Sequence, residues 1–240
     1  MKGNIKLSKL FTEINIKNST IKNRISVPPM AASKAENGFV SPKTVEHYRK
    51  MAAGGAGLII QEATCVNEGG RFSDKQLGIW SDDHMSGLKQ IVDAVHQEDC
   101  KIIIQIQYSG LSGITEPRLS PSDSEQEVFG KTVVGREITP EEIKSVQNDF
   151  IRAAQRAYEV GYDGVELHGS RSFLICQFLN SEINKRTDEY GTEPERFALE
   201  IIEGIRRTTP SDFIVGIRIG GFEPQIEDGI RHAQTFEETA

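Results

Sequence analysis

Residues 138–168 have the sequence ITPEEIKSVQNDFIRAAQRAYEVGYDGVELH, which predicts a helix followed directly by a strand. Thr139 opens a T-x-x-E capping box and is followed by a proline, and both features mark the start of a helix. Apolar residues then recur every three or four positions until Gly161 ends the helix. A strand is predicted directly after the helix, at Gly164–His168. In runs such as Leu58-Ile59-Ile60 and Ile102-Ile103-Ile104 the apolar residues are nearly continuous, as expected of parallel strands buried on both faces.

Four other apolar runs predict strands of the same kind, with helical patterns between most of them. A second N-cap with a following proline stands at Ser41, and a second T-x-x-E box stands at Thr192. Strands that alternate with helices are typical of a doubly wound sheet or a (β/α)₈ barrel. The five predicted strands are Arg24–Met30, Gly57–Glu62, Lys101–Ile106, Gly164–His168 and Phe213–Ile219.

Two observations favour the barrel. No G-x-G-x-x-G motif follows the first strand, where a dinucleotide-binding sheet usually carries it. Polar residues also gather at the carboxyl ends of the strands, where barrel enzymes keep their chemistry. We therefore predict a single α/β domain of the TIM-barrel type over residues 1–240, incomplete because about five βα units are present and the last three strands are missing. A long loop at about 108–138 is predicted to act as a lid or substrate loop, and a further helix is predicted to begin near Arg231.

The composition excludes several classes of protein. Apolar residues make up 37% of the chain and no apolar run approaches the length of a membrane helix, so a soluble protein is expected, and the absence of a secretory signal predicts the cytoplasm. A net charge of −7 argues against nucleic acid or an anionic membrane as partner. Cys65, Cys100 and Cys176 match no zinc or iron–sulfur spacing, so no metal is expected.

Short motifs stand at the strand ends and in the loops that follow them. The sharpest are His168-Gly169, Phe173-Leu174-Ile175, Gln177-Phe178-Leu179 and the run from Asn184 to Gly191. Others are Pro29-Met30, the run from Gly57 to Ala63, Gly70-Arg71 and the run from Leu77 to Asp82. With these motifs, the chain resembles the Old Yellow Enzyme family of FMN-dependent NAD(P)H oxidoreductases along almost its whole length.

The resemblance implies FMN as cofactor, NAD(P)H as reductant, and hydride transfer from reduced flavin to a small-molecule acceptor, namely an activated alkene, a quinone or a nitro compound. In this interpretation the Arg218 cation stabilises the negative charge of reduced flavin. The Gln105 amide donates and accepts along the pyrimidine edge, and His168 donates to the flavin or to an acceptor oxygen. The positions that match flavin-contacting residues of the family are Pro29, Met30, Ala63, Gln105, His168 and Arg218.

The chain also departs from the family at the residues that handle the acceptor. Arg171 stands where the family has a second histidine or an asparagine, so the predicted catalytic pair is His168 and Arg171. Arg171 either holds a carboxylate substrate or forms a plain salt bridge. The family's tyrosine acid is replaced by Phe173, and loss of a positioned general acid typically costs ~10²–10⁴-fold in rate. Tyr108 is an alternative source of a phenol, because it replaces the histidine of the family's H-x-G-R motif.

Structural interpretations stay open for several of these residues. His168 is also explained as a packing residue, Arg218 as a partner of Glu166, and Arg186 to Asp188 as a local salt bridge in a loop. The family's FMN phosphate is held by loops after strands seven and eight, which this chain lacks. The alternative function is therefore a truncated or degenerate family member without independent redox activity. A homo-oligomer, or a second chain that completes the barrel, is a possible partner.

Overall fold

A computed structural model of the protein describes residues 9–128, 130–220, 224–227 and 230–233. The strands in chain order are β1 (Ile14–Ile16), β2 (Ser19–Ile21), β3 (Ser26–Val27), β4 (Leu58–Cys65), β5 (Lys101–Gln107), β6 (Arg118–Ser120), β7 (Ser124–Val128), β8 (Lys131–Glu137), β9 (Gly164–Gly169), β10 (Ile214–Ile219), β11 (Pro224–Glu227) and β12 (Ile230–Ala233). The helices are α1 (Pro42–Ala53), α2 (Met85–His96), α3 (Pro140–Val160), α4 (Leu174–Leu179), α5 (Glu189–Thr192) and α6 (Arg196–Thr208).

A five-stranded parallel sheet forms the centre of the fold. Its strand order is β10-β9-β5-β4-β3, so the five strands that the sequence predicts lie side by side in the order in which they occur along the chain. This is the arrangement of successive βα units in a barrel. Among the described residues, no helix has the length and hydropathy needed to cross a bilayer.

Two clusters of apolar side chains cover opposite faces of this sheet. On the outer face, Ile59, Ile104 and Leu167 are buried against the helices in the larger cluster. On the inner face, Leu58, Ile103 and Ile214 pack with isoleucines of the β1–β2 hairpin. Side chains alternate between the faces with the period of two that a strand imposes. Helices therefore cover one face over its whole length, and the hairpin covers only the amino-terminal part of the other.

The helix signals at Ser41 and Thr139 are confirmed. The Thr139 hydroxyl accepts a hydrogen bond from the Glu142 N–H at 3.2 Å, and the Glu142 carboxylate accepts from the Thr139 N–H at 2.9 Å. Gly161 ends α3 with a φ of 102°, in the left-handed region that glycine adopts without a steric penalty.

Other predictions of local structure were wrong. The box at Thr192 starts no long helix, because α6 begins at Arg196 and Thr192 instead ends α5. The first predicted strand is only two residues long, since the prolines that follow it lack the N–H that a ladder needs. The predicted loop at 108–138 contains the small sheet β6-β8-β7. Strand β12 occupies the start of the helix predicted near Arg231, and residues 234–240 of that prediction lie outside the described residues.

A buried carboxylate stabilises the amino-terminal end of the sheet. Asp163, just before β9, accepts hydrogen bonds from His96 Nε2, Lys101 Nζ and the Ile102 N–H, each at 2.8 Å. Burial disfavours the charged form of Asp163, but these three donors outweigh burial and lower its pKa. The cluster joins α2 and β5 to β9 at the end of the sheet opposite to the polar residues.

We expect Asp163→Asn to lower the free energy of unfolding by about 2 kcal/mol at pH 7, because hydrogen bonds to a charged group are lost. A lowered folded-state pKa stabilises the protein above the ordinary aspartate value of 3.8 and loses this effect as the pH falls below it. Urea titrations at pH 7 and pH 3 should therefore show a smaller difference between wild type and variant at pH 3. Asp93→Asn, which removes an exposed partner of Lys89, is the matched control and should change stability little.

Candidate active site

Polar side chains share the inner face of the sheet above its apolar layer. In the strand register, Ile103 lies beside Gly164, which lies beside Ile214. Two residues further along each strand, Gln105, Glu166 and Gly216 form the next layer. His168 and Arg218 then form a layer at the carboxyl ends of the strands. The inner face thus changes from apolar to polar toward the end where barrel enzymes keep their active sites.

Gln105 and Glu166 form a buried pair in the middle layer. The Gln105 side chain amide donates to Glu166 Oε1 at 2.7 Å, and Gln105 is almost completely buried. Burial raises the pKa of Glu166, and the hydrogen bond from Gln105 and the charge of Arg218 oppose this effect in part. Glu166 therefore fixes the orientation of the Gln105 amide, because the amide nitrogen points toward the Glu166 carboxylate.

His168 lies in a buried setting beside an aromatic ring. Its Nδ1 is 3.3 Å from the hydroxyl oxygen of Ser170, and its ring meets the Phe173 ring edge to face with centroids 4.8 Å apart. Burial lowers the pKa of His168 to about 4, and the positive charges of Arg218 and Arg171 add to the effect. At neutral pH the imidazole is therefore uncharged and has one N–H to donate.

At the other edge of the sheet, Glu62 holds the chain that follows β3. Its carboxylate accepts hydrogen bonds from the Ala32 N–H at 2.9 Å and the Tyr48 hydroxyl at 3.1 Å. The pairing of β4 with β5 shifts register between Gln61 and Thr64, and this bulge contains Ala63. Bulges of this kind re-aim side chains and are common next to active sites.

Pro29 and Met30 follow β3, and Met30 has 57% of its surface exposed although it is apolar. The structure therefore places the predicted flavin contacts in the carboxyl-terminal halves of the parallel strands or directly after them. It brings Gln105, His168 and Arg218 together on neighbouring strands. It places Pro29 and Met30 just after β3, the opposite edge strand of the sheet, with three strands between β3 and β10.

The loop after β9 has a strained backbone. Arg171 and Ser172 both have left-handed conformations, with φ angles of 58° and 56°, at a cost of roughly 1–2 kcal/mol for each residue. The side chain amide of Gln177 donates to the Ser172 carbonyl oxygen at 2.6 Å, and the Ser112 hydroxyl donates to the same oxygen at 3.3 Å. Gln177 is completely buried. The surroundings thus hold the loop in an unfavourable conformation, as is common at functional sites.

Aromatic rings line the same region. Phe173 stacks on Phe72 with ring centroids 5.7 Å apart and an interplanar angle of 14°. The Tyr108 ring fills the space beside Gly70, where an added Cβ would come within 2.6 Å of it. Burial raises the pKa of Tyr108, and nearby negative charges of Asp149 and other groups raise it further. The structure gives no support to Tyr108 as a replacement for the family's acid.

Arg186 does more than form a local salt bridge. Its guanidinium donates to Asp188 Oδ1 at 2.9 Å, to the Pro121 carbonyl at 2.9 Å and to the Ile138 carbonyl at 2.8 Å. Its side chain is only 4% exposed. Arg186 thereby fastens the adjacent carboxyl ends of β6 and β8 to the segment that precedes α5.

Comparison with known proteins agrees with this geometry. The model of the NADH:flavin oxidoreductase / NADH oxidase family matches residues 9–239. The chain belongs to this family. It is 37% identical to an NADPH dehydrogenase of Bacillus subtilis over 239 residues, and 38% identical to one of Clostridium acetobutylicum over 228 residues. The matches cover 96% and 92% of this chain, and 70% and 67% of those two relatives.

Solved structures of the family have the same fold as this chain. A 2-naphthoyl-CoA reductase complex superposes with a TM-score of 0.87 at 27% identity, over 96% of this chain and 37% of that one. An Old Yellow Enzyme homologue from Zymomonas mobilis superposes with a TM-score of 0.79 at 28% identity, over 88% of this chain and 63% of that one. The prediction of an incomplete barrel of the Old Yellow Enzyme type is thereby confirmed. The chain spans between about a third and 70% of the length of these relatives.

The residues present fit the isoalloxazine ring of FMN, the cofactor of this family. Gly216 leaves the inner face open, since a Cβ built on it meets no atom within 4 Å. In the same layer, Glu166 and then the oriented Gln105 amide lie on the next two strands, and the permanent cation of Arg218 lies two residues beyond Gly216. The isoalloxazine ring is planar, with apolar faces and a polar pyrimidine edge. It therefore needs open space for the ring, and an amide and a cation for the polar edge.

For several residues of the site, the contacts that they make were not predicted from the sequence. The sequence suggested Glu166 only as a partner of Arg218, and its hydrogen bond to Gln105 was missed, although the period of two along a strand places Glu166 on the same face as His168. Gln177 belongs to a recognised motif, but only the folded loop shows that it holds the Ser172 carbonyl. Phe72 left no signal in the sequence, because its contact with Phe173 joins two loops that are far apart in the chain. Ser170 lies only two residues from His168, and its contact with the imidazole was also missed.

Proposed function

We propose that the protein is an FMN-dependent NAD(P)H oxidoreductase that reduces an activated alkene, a quinone or a nitro compound. The layer of Gln105, Glu166, His168 and Arg218 on the inner face carries the proposal. In it, Pro29, Met30, Ala63, Gln105, His168 and Arg218 contact the flavin, and His168 and Arg171 face the acceptor. For an alkene, NAD(P)H and one proton yield NAD(P)⁺ and the saturated product.

FMN, when bound, supplies the hydride chemistry between NAD(P)H and the acceptor. The protein supplies orientation and charge. Arg218 offsets the negative charge that reduction places on the pyrimidine edge, and Glu166 keeps the Gln105 amide directed at that edge. His168 is uncharged at pH 7, so it stabilises an acceptor oxygen by donating a hydrogen bond and does not transfer a proton to it. Phe173 gives no proton, so the proton comes from water.

The absorption spectrum of the purified protein tests this proposal. We expect a flavin band near 450 nm that bleaches when NADPH or NADH is added without oxygen and returns when an acceptor follows. Arg218→Gln should weaken retention of the flavin, and Arg207→Gln is the matched control because it removes a similar charge from an exposed site on α6. Colourless protein that takes up no added FMN would contradict the proposal.

Exposed apolar side chains on β10, an edge strand of the sheet among the described residues, favour the alternative, in which this chain has no redox activity by itself. Ile217 and Ile219 are 37% and 48% exposed on this edge strand, and apolar edge strands invite pairing with another chain. The proposed partner is a second copy or a second chain that completes the barrel. If so, the flavin band appears only in an associated form, and gel filtration with detection at 450 nm distinguishes the two cases.

A further inference from the structure

The loop between β9 and α4 presents a cation at the mouth of the site. Arg171 is exposed, and its charge helps to lower the pKa of His168, so it acts on the same space as the imidazole. Arg218 is the other cation that acts on His168, but it also acts on the carboxylate of Glu166. Arg171 therefore adds positive charge near His168, from the loop that begins directly after β9.

Specific hydrogen bonds hold the conformation of this loop. Two consecutive residues with side chains adopt left-handed backbone conformations, and the buried Gln177 amide together with Ser112 holds the carbonyl between Ser172 and Phe173. A flexible surface arginine would need no such support. The strain is maintained by buried hydrogen bonds, which fixes the point from which the Arg171 side chain extends.

The wall next to Arg171 suits a planar molecule. Phe173 lies two residues away, contacts His168 edge to face and stacks on the half-buried Phe72. A conjugated acceptor has an aromatic surface that pairs favourably with such rings. A guanidinium beside an aromatic wall binds a carboxylate through two parallel hydrogen bonds.

We propose that the acceptor of this protein is a planar conjugated carboxylate, and that Arg171 binds its carboxylate group while His168 faces its reducible group. Gln177 is a positioning residue for Arg171. The inference rests on the proposed function, because it names the chemical class of the acceptor at that site. Its test uses equilibrium binding, which needs no turnover.

Calorimetric titration of the purified protein with 4-nitrobenzoate and with 4-nitrobenzamide compares two planar acceptors that differ in charge. We expect the carboxylate to bind more tightly than the amide. Arg171→Gln should weaken binding of 4-nitrobenzoate by ~10–100-fold and change binding of the amide by less than about threefold, as expected for loss of a charge-assisted hydrogen-bonded pair. Arg171→Lys should fall between wild type and Arg171→Gln, because lysine keeps the charge but cannot bind with two parallel bonds.

Arg207→Gln, at the exposed end of α6, is the control for net charge and should leave both dissociation constants unchanged. Equal binding of the two ligands by wild type, equal losses in Arg171→Gln, or no binding of either ligand would each overturn the inference. Failure of the proposed function gives a different result, namely protein without a flavin band or without NAD(P)H oxidation, and neither of these readouts enters the comparison of the two ligands.

Discussion

Phe173→Tyr should raise the rate of cyclohexenone reduction by about 10²-fold or more, within the range that a positioned general acid supplies. The Phe173 ring is held between His168, at 4.8 Å between ring centroids, and Phe72, at 5.7 Å. A phenol introduced on this ring extends from a fixed position next to the imidazole. Single-turnover reduction of the enone by the reduced enzyme is the measurement, because it isolates the step that needs the proton.

Quinone reduction provides the internal comparison for this variant. Quinones take their protons from water, so Phe173→Tyr should leave the quinone rate nearly unchanged. Phe72→Tyr is the matched control, since it adds a phenol to the other ring of the same stacked pair, and no gain on the enone is expected from it. A Phe173→Tyr protein with normal quinone reduction and no gain on cyclohexenone would refute the role of the missing acid.

Arg186→Gln should lower the free energy of unfolding by about 3 kcal/mol, at the low end of the range for breaking a buried ion pair. The substitution removes donors from Asp188 and from the Pro121 and Ile138 carbonyls. The low end is expected because Asp188 keeps 31% of its side chain surface exposed and is partly rehydrated. Urea-induced unfolding, followed by circular dichroism, measures the change.

Arg196→Gln controls for the loss of one arginine in the same part of the chain. Arg196 is 37% exposed and pairs with Glu193 at 3.1 Å, so its loss should cost less than about 1 kcal/mol. Arg186→Lys separates charge from geometry, because an ammonium cannot reach acceptors on three sides. If Arg186→Gln and Arg196→Gln destabilise equally, the buried guanidinium does not fasten the β6-β8-β7 sheet.

The alternation of strands and helices was readable from the sequence, since burial on both faces makes a parallel strand continuously apolar. The capping box at Thr139 was readable because all its partners lie within four residues. The box at Thr192 has the same letters and failed. Thr192 is instead the last residue of α5, where its hydroxyl donates to the Asp188 carbonyl at 3.2 Å. The Asp188 carboxylate is itself paired with Arg186. The Thr192 hydroxyl is therefore already bound to the preceding turn, and a capping motif marks a helix start only where other partners do not hold its side chains.

The motifs around His168 and the run from Asn184 to Gly191 were enough to determine the family, and the family determined the sheet and the candidate flavin contacts. The sequence alone did not determine how the loops are held. The bond from Gln177 to the Ser172 carbonyl, the stacking of Phe72 on Phe173 and the reach of Arg186 to residues 48 and 65 positions away exist only after folding. The physical reason is that strand and helix signals are local and periodic, whereas the site depends on single contacts between loops that are far apart in the chain.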